Sequence, residues 1–400
     1  MIDGSVEPGF EEVREEFEAN FARRRELGAA CAAYHRGVKV VDLWGGRRSA
    51  DGPEPWREDT LVLVYSTSKG LAAMAVALAH SRGWLDYDAT VASYWPEFSQ
   101  GGKENVTVRQ LLAHQAGLCG IDEPLDAGKL ADLDAVADAI ARQPPAWEPG
   151  TRHGYHAFSI GWYEGELIRR VDPRRRSLGR FFAEEIAEPL GLEFYFGLPE
   201  EVPPERVASI KGFSRASALL HLRATPPRMI AGFTRRRSLT YRSFGNPKLH
   251  GPADLDHPDY RAVEFAAATG VGQVMSIARA YSAFAAGGGE LGLESDTLEE
   301  LTGPPRPPTK NDHDLVLRVP MAYAAGFIKP SEGFPFGSSG RSFGHPGAGG
   351  SFAFADPDAE VGFAYAPNRL GHHLHDDPRE KAIRDALYRC LARTGAATAA

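Results

Sequence analysis

Cysteine is nearly absent: Cys31, Cys119 and Cys390 are the only three in 400 residues. An odd, scattered set without a Cys-x-x-Cys pair offers neither a disulfide framework nor a zinc site, and no metal is expected. Long apolar runs are missing too, and the longest fall short of a membrane span. The first residues, Met1 to Glu7, are polar and acidic, without the basic start and apolar run of a secretory signal, so a cytoplasmic protein with no membrane partner is expected. Excess positive charge is lacking: the formal net charge is −8, which leaves no footprint for nucleic acid. Lysine is scarce, nine among 45 basic residues, so a lysine set against an apolar helical face stands out.

The length suffices for a large core and fits two domains or one elaborated domain. Leu61 to Val64 reads as a short buried strand, and Leu71 to His80, rich in Ala and Leu and free of proline, reads as a buried helix. Between them stands Ser66-Thr67-Ser68-Lys69, a Ser-x-x-Lys at a helix start. Residues i and i+3 share a helix face, which brings the Lys69 amine to the Ser66 hydroxyl. A desolvated lysine near the positive end of a helix can lose its proton near neutral pH and activate the serine. The alternative is plain: Ser66 or Ser68 caps the helix and Lys69 is exposed in its first turn.

Elsewhere, Glu11 to Leu27 predicts an amphipathic helix, and Ala29 to Arg36 with Val38 to Trp44 a hairpin about Gly37. Thr107 to Gly117 predicts a capped helix, with His114 in its last turn either catalytic or bonding carbonyls. Tyr155 precedes a helix over Phe158 to Ile168 and is either a site residue or a core tyrosine. Residues 199–264 are irregular and rich in Pro and Arg, as expected of a flap over a site. Near the end, Ala322–Ile328, Ser342–His345, Ser351–Ala355 and Val361–Ala366 predict strands, and Glu380–Arg393 a closing helix. Strands thus gather at both ends of the chain. The expected fold is α/β (α+β): a discontinuous domain of residues 1–65 and 268–400 with an antiparallel sheet flanked by helices, and an inserted, mainly helical domain of residues 66–267, with the site between them. His372, His373, His375, Asp376 and Asp377 admit a metal reading, but either aspartate serves equally near the N-terminus of the closing helix.

Three separated segments, Ser66-Thr67-Ser68-Lys69, Tyr155, and His345-Pro346-Gly347-Ala348-Gly349-Gly350, together with Leu111 to Leu118, resemble the class C β-lactamase-like serine hydrolases over nearly the whole chain. That group includes penicillin-binding proteins, family VIII carboxylesterases and acyltransferases. The resemblance implies a β-lactamase/transpeptidase-like fold, Ser66 as the acylated nucleophile, Lys69 as its activator and Tyr155 as a proton relay. It implies an oxyanion hole formed by the Ser66 and Ala348 N–H groups, and substrate contacts from His345, Gly347, Gly349 and His156. No cofactor is implied, and the partner is a small ester, amide or acyl donor. Two positions depart from the lactamase pattern: Ala157 replaces the Asn of Tyr-x-Asn, and His345 the Lys of Lys-Thr-Gly. The expectation is therefore a carboxylesterase on small esters with weak or no β-lactamase activity. Acyl transfer to an acceptor other than water, a lactamase or D-amino-acid peptidase, and a catalytically silent binding module are the alternatives.

Overall fold

Strands from both ends of the chain build one antiparallel sheet. The computed structural model describes residues 1–213 and 224–398; residues 214–223, inside the stretch expected as a flap, lie outside the described residues. The N-terminal part supplies β1 (Ile2–Val6), β2 (Gly28–His35) and β3 (Val38–Gly46). Three two-residue strands, β4 (Val62–Leu63), β5 (Phe194–Tyr195) and β6 (Val271–Gly272), form a small sheet of their own in the order β4-β6-β5. The C-terminal part supplies β7 (Tyr323–Ala324), β8 (Phe327–Ile328), β9 (Phe343–Pro346), β10 (Phe352–Asp356) and β11 (Val361–Pro367). The large sheet runs β1-β3-β2-β11-β10-β9-β8-β7, so the two ends of the chain join at the β2–β11 pair.

Five helices matter for the site: α1 (Glu11–Arg23), α2 (Ser68–Ser81), α3 (Ser159–Val171), α4 (Val274–Ala285) and α5 (Pro378–Thr398). Successive strand residues point to opposite faces, and the sequence uses this alternation to make two unlike surfaces. Phe352, Phe354, Phe363 and Tyr365 lie on one face with Val13 and Phe17 of α1 and Ile383 and Leu387 of α5. Burying each such ring contributes about 1.5–3 kcal/mol. The intervening Ala353, Ala355, Ala364 and Ala366 lie on the other face, where small side chains let α4 close onto β2, β10 and β11. The same apolar cluster continues through α2 into the helical part of the chain.

α2 is buried from Ser68 to Ala79, as an all-round apolar helix must be. Among the described residues no helix is long and apolar enough to cross a membrane.

Several local expectations need correction. The helix expected to reach Gly117 ends earlier: it spans Val108–Leu112, capped by Thr107 and Gln110 acting reciprocally. His114 then takes a left-handed conformation, φ 58°, and the Gln115 N–H turns back to the Gln110 carbonyl at 2.7 Å. The acidic start of the chain, which lacks an apolar run, forms edge strand β1. The described part of the 199–264 stretch contains short helices, among them Pro227–Phe233 and Leu239–Phe244, and it binds the body of the protein at several points. Leu61 and Val207 form a β-bridge, and the Tyr65 hydroxyl donates to the Pro252 carbonyl at 3.2 Å.

Candidate active site

From Thr60 to Ala79, Ser66 is the one residue that is not buried. The chain leaves β4, turns left-handed at Tyr65 (φ 52°) and passes through a 3₁₀ turn over Tyr65–Thr67 before α2 begins. That turn lifts the Ser66 side chain out of the core. It is pinned by the Val64 N–H donating to the Gly270 carbonyl at 3.0 Å and by the Ser68 hydroxyl bonding the Tyr65 carbonyl. Ser66 thus precedes α2 by two residues and does not cap it.

Lys69 is 1% exposed, and its Nζ lies 2.9 Å from Ser66 Oγ and 2.7 Å from the Ala267 carbonyl oxygen. The surface-lysine alternative is therefore overturned. Burial penalises the ammonium and pushes its pKa down to about 7, with the Glu164 carboxyl opposing that shift. Near neutrality the amine keeps an N–H for the Ala267 carbonyl and can turn its lone pair to the serine.

Tyr155 reaches the same point from the other side. Its ring centroid lies 4.9 Å from Lys69 Nζ. Burial raises its pKa, and a hydrogen bond with the Ser66 side chain pulls it back only in part, so the phenol keeps its proton at neutral pH. Ser243, which sequence reasoning missed, and His114 hold this tyrosine in place. Ser243 Oγ donates to the Tyr155 carbonyl at 2.7 Å and accepts from the Ala157 N–H at 3.0 Å. His114 Nδ1 accepts from the His156 N–H at 3.2 Å, and the His114 ring packs edge-on against those of Tyr155 and Tyr323. His114 is thus neither a helix-end cap nor within reach of Ser66 by any observed bond. No sequence signal ties Ser243 to Tyr155 across 88 positions.

Strand β9 and the turn after it form the facing wall. His345 is 1% exposed, with its ring tilted toward Tyr155 at 5.9 Å between centroids. Its Nδ1 lies 2.8 Å from the Pro346 carbonyl, which can only accept, so Nδ1 carries the proton and Nε2 a lone pair with no partner among the described residues. Burial, with Lys69 adding to it, pushes the His345 pKa down to about 3, so the ring is neutral. Ala348 is exposed at the tip of the turn. Gly349 has φ 87° against Leu370, and Arg379, paired with Asp377, donates to the Gly349 carbonyl at 2.8 Å and braces the turn. Asp376 pairs with Arg384. Both aspartates near the start of α5 are thus engaged in ion pairs, and among the described residues no group of three or more His, Cys, Asp or Glu is placed to hold a metal.

His156 departs from its expected role. It is fully buried, its Nε2 accepts from the Leu118 N–H at 3.0 Å, and its Nδ1 donates to the Gly154 carbonyl at 2.8 Å. With both nitrogens committed, the ring has none left for substrate. The Tyr-x-Asn position next to it is Ala157, whose side chain offers no hydrogen bond.

Gly347 is needed for close approach. A Cβ there would stand 2.8 Å from Thr67 Oγ1 and nearer still to Ser351 Oγ and the Val64 carbonyl oxygen. The turn thereby seats directly on the segment carrying Ser66, where Ser351 Oγ also bonds Val64 O at 2.8 Å. Gly347→Ala should lose about 1–3 kcal/mol of stability through overpacking. It should also displace the Ser66 turn and lower turnover. Gly251→Ala, a site with nothing within 4 Å of the added Cβ, serves as the control. Equal melting temperatures and rates for the two variants would contradict the close-packing role.

Comparison with known proteins adds to this geometry. A family model described as Beta-lactamase matches residues 13–388. The chain is 34% identical over 370 residues to the esterase/beta-lactamase LipL of Mycobacterium tuberculosis, covering 92% of this chain and 83% of that protein. The crystal structure of a family VIII carboxylesterase superposes with a TM-score of 0.86 at 38% identity, covering 98% of this chain and all of that one (100%). A penicillin-binding protein homolog from Caulobacter crescentus superposes with a TM-score of 0.84 at 35% identity, over 98% and 100% of the two chains.

Proposed function

The chain belongs to the β-lactamase family of serine hydrolases, and on that premise we propose that it is a carboxylesterase acting on small esters through an acyl-enzyme at Ser66. The observation that carries this reading is the half-buried Ser66 hydroxyl, in a run otherwise buried, 2.9 Å from a buried lysine whose pKa falls to about 7. Ser66 Oγ attacks the ester carbonyl as its proton passes to Lys69 Nζ. The carbonyl oxygen becomes an oxyanion, which in this reading faces the N–H groups of Ser66 and Ala348. As the tetrahedral centre collapses, the C–O bond to the alcohol breaks. Tyr155 gives its proton to the leaving oxygen and regains one from Lys69. Water then attacks the acyl-Ser66 ester, loses its proton to the same pair, and the carboxylic acid leaves with Ser66 restored. In this reading Ser66, Lys69 and Tyr155 come from the mainly helical segment, residues 66–267. His345 to Gly349 come from the domain built by the two chain ends.

The substrate class follows from two positions. A β-lactam brings a carboxylate, and here the strand offers a neutral His345 where a cation would meet it. A missing charge-assisted bond costs on the order of 1.5–3 kcal/mol, roughly ten- to a hundredfold in rate or binding. Ala157 removes a second polar contact. Small neutral esters need neither group, so kcat/KM for p-nitrophenyl acetate or butyrate should exceed that for nitrocefin. Steady-state kinetics check this, and a larger value for nitrocefin would put the lactamase reading first.

A further inference from the structure

Arg379, the second residue of α5, is buried, and all five of its guanidinium N–H groups are engaged. Nε donates to Asp377 Oδ1 at 2.9 Å and Nη2 to Asp377 Oδ2 at 3.0 Å. Nη1 donates to Glu26 Oε1 at 3.1 Å and to the Arg369 carbonyl at 2.8 Å. The last N–H runs from Nη2 to the Gly349 carbonyl at 2.8 Å, where the Gly371 N–H also arrives at 2.9 Å. Glu26, in the turn between α1 and β2, is itself held by the Tyr365 hydroxyl of β11. A Cβ at Gly350 would stand 2.9 Å from the Asp377 carboxyl carbon and 3.0 Å from Arg379 Nη2, so the turn after β9 rests directly on this ion pair. On its other side the same turn is seated through Gly347, whose N–H donates to the Ser351 carbonyl at 2.7 Å. Ala348 lies between the two anchors; it is exposed, and its N–H has no acceptor among the described residues. Desolvation offsets much of what a buried ion pair gains, so stability alone is a poor account of a guanidinium kept under this turn.

We propose that Arg379 is a positioning residue for the oxyanion: its guanidinium fixes the 347–350 turn and so keeps the Ala348 N–H aimed at the substrate carbonyl oxygen. This rests on the reading of the Ala348 N–H as an oxyanion donor. Arg379 makes no bond to Ser66 and moves no proton; it acts through the Gly349 carbonyl. Donors already in place stabilise the developing charge without reorganising, and a small displacement forfeits much of that gain. Lysine cannot take over the task. Its ammonium has three donors and no planar fork, so it cannot hold both carboxylates and the carbonyls of Arg369 and Gly349 at once.

The test compares p-nitrophenyl acetate with p-nitrophenyl thionoacetate, in which sulfur replaces the carbonyl oxygen, in the wild type, Arg379→Lys, Asp377→Asn and Arg384→Lys. Sulfur is larger and accepts hydrogen bonds weakly, so a formed oxyanion hole favours the oxygen ester. The ratio of the two kcat/KM values does not depend on how much of the protein is folded. In Arg379→Lys, kcat for the acetate should fall at least about tenfold with KM little changed, as for an interaction made in the transition state. The fall should stay within the roughly 10²–10³-fold that loss of a whole oxyanion donor costs, because Gly371 still holds the Gly349 carbonyl. The oxygen-to-sulfur ratio should drop with it. Asp377→Asn, which loosens the fork without removing it, should lower the ratio by a smaller factor, and it carries the test if Arg379→Lys does not fold. Arg384→Lys disturbs another buried ion pair of α5, with Asp376 and Glu380, that makes no bond to the turn, and it should keep the wild-type ratio. An unchanged ratio in folded Arg379→Lys or Asp377→Asn overturns the proposal, as does an equal drop in Arg384→Lys, which would mark a general loosening of the helix. A wild type that prefers the oxygen ester no more than hydroxide does would instead sink the oxyanion reading, and the proposal with it.

Discussion

Replacing Ser66 by alanine should abolish the burst of p-nitrophenol that precedes steady-state hydrolysis of p-nitrophenyl acetate. Turnover should fall by roughly 10⁴-fold or more, the scale on which covalent catalysis collapses when its nucleophile is removed. The size follows from the setting of the residue. Ser66 is the single residue from Thr60 to Ala79 that is not buried. The fold should survive the change: the bonds that pin the turn are made by Val64, Tyr65 and Ser68, and Ser351 with Thr67 ties it to the turn between β9 and β10. A circular dichroism spectrum and a melting temperature like those of the wild type, with no burst, are the expected pair of results. An undiminished burst in the folded variant would assign the nucleophile elsewhere.

The second large effect concerns the two groups that move the proton. Lys69→Ala and Tyr155→Phe should each lose about 10²–10⁴-fold in kcat, the usual contribution of a positioned acid or base. The two variants should differ in their pH dependence. Without Lys69 the acid limb near pH 7 should vanish, since the amine is the group that titrates there. Tyr155→Phe keeps the lysine, and with it the limb, while losing the proton donor to the leaving oxygen. An activated leaving group such as p-nitrophenol needs little protonation, so Tyr155→Phe should hurt an alkyl ester more than a p-nitrophenyl ester. Near-native turnover across pH 6 to 9 in either variant would remove that residue from the mechanism.

Much of this arrangement was legible in the sequence because the relevant signals are local. The Ser-x-x-Lys spacing gives a shared helix face, the Ala-rich run gives a buried helix, and the apolar stretches Ser351–Ala355 and Val361–Ala366 give strands. The missed parts share another physical origin. Strands β5 and β6 are two residues long and carry no period to read. The left-handed turns at Tyr65 and His114 fall on residues that do not favour that conformation, so tertiary contacts impose them. Ser243 meets Tyr155, and Arg379 meets Gly349, only after folding. His156, which the resemblance implies as a substrate contact, instead gives both its nitrogens to backbone groups of its neighbours, a pairing only the folded chain creates. The 199–264 stretch looked like a flap because it lacks periodicity; its Ser243 and Phe244 nonetheless pack against Tyr155.

The most direct measurement of the central claim is mass spectrometry of the intact protein quenched in acid within the burst phase of p-nitrophenyl butyrate hydrolysis, followed by peptide mapping. The expected result is a mass increase of one butyryl group per chain, carried on the peptide containing Ser66 and absent from Ser66→Ala. A butyryl group on any other residue, with Ser66 unmodified while the ester is being turned over, would contradict it.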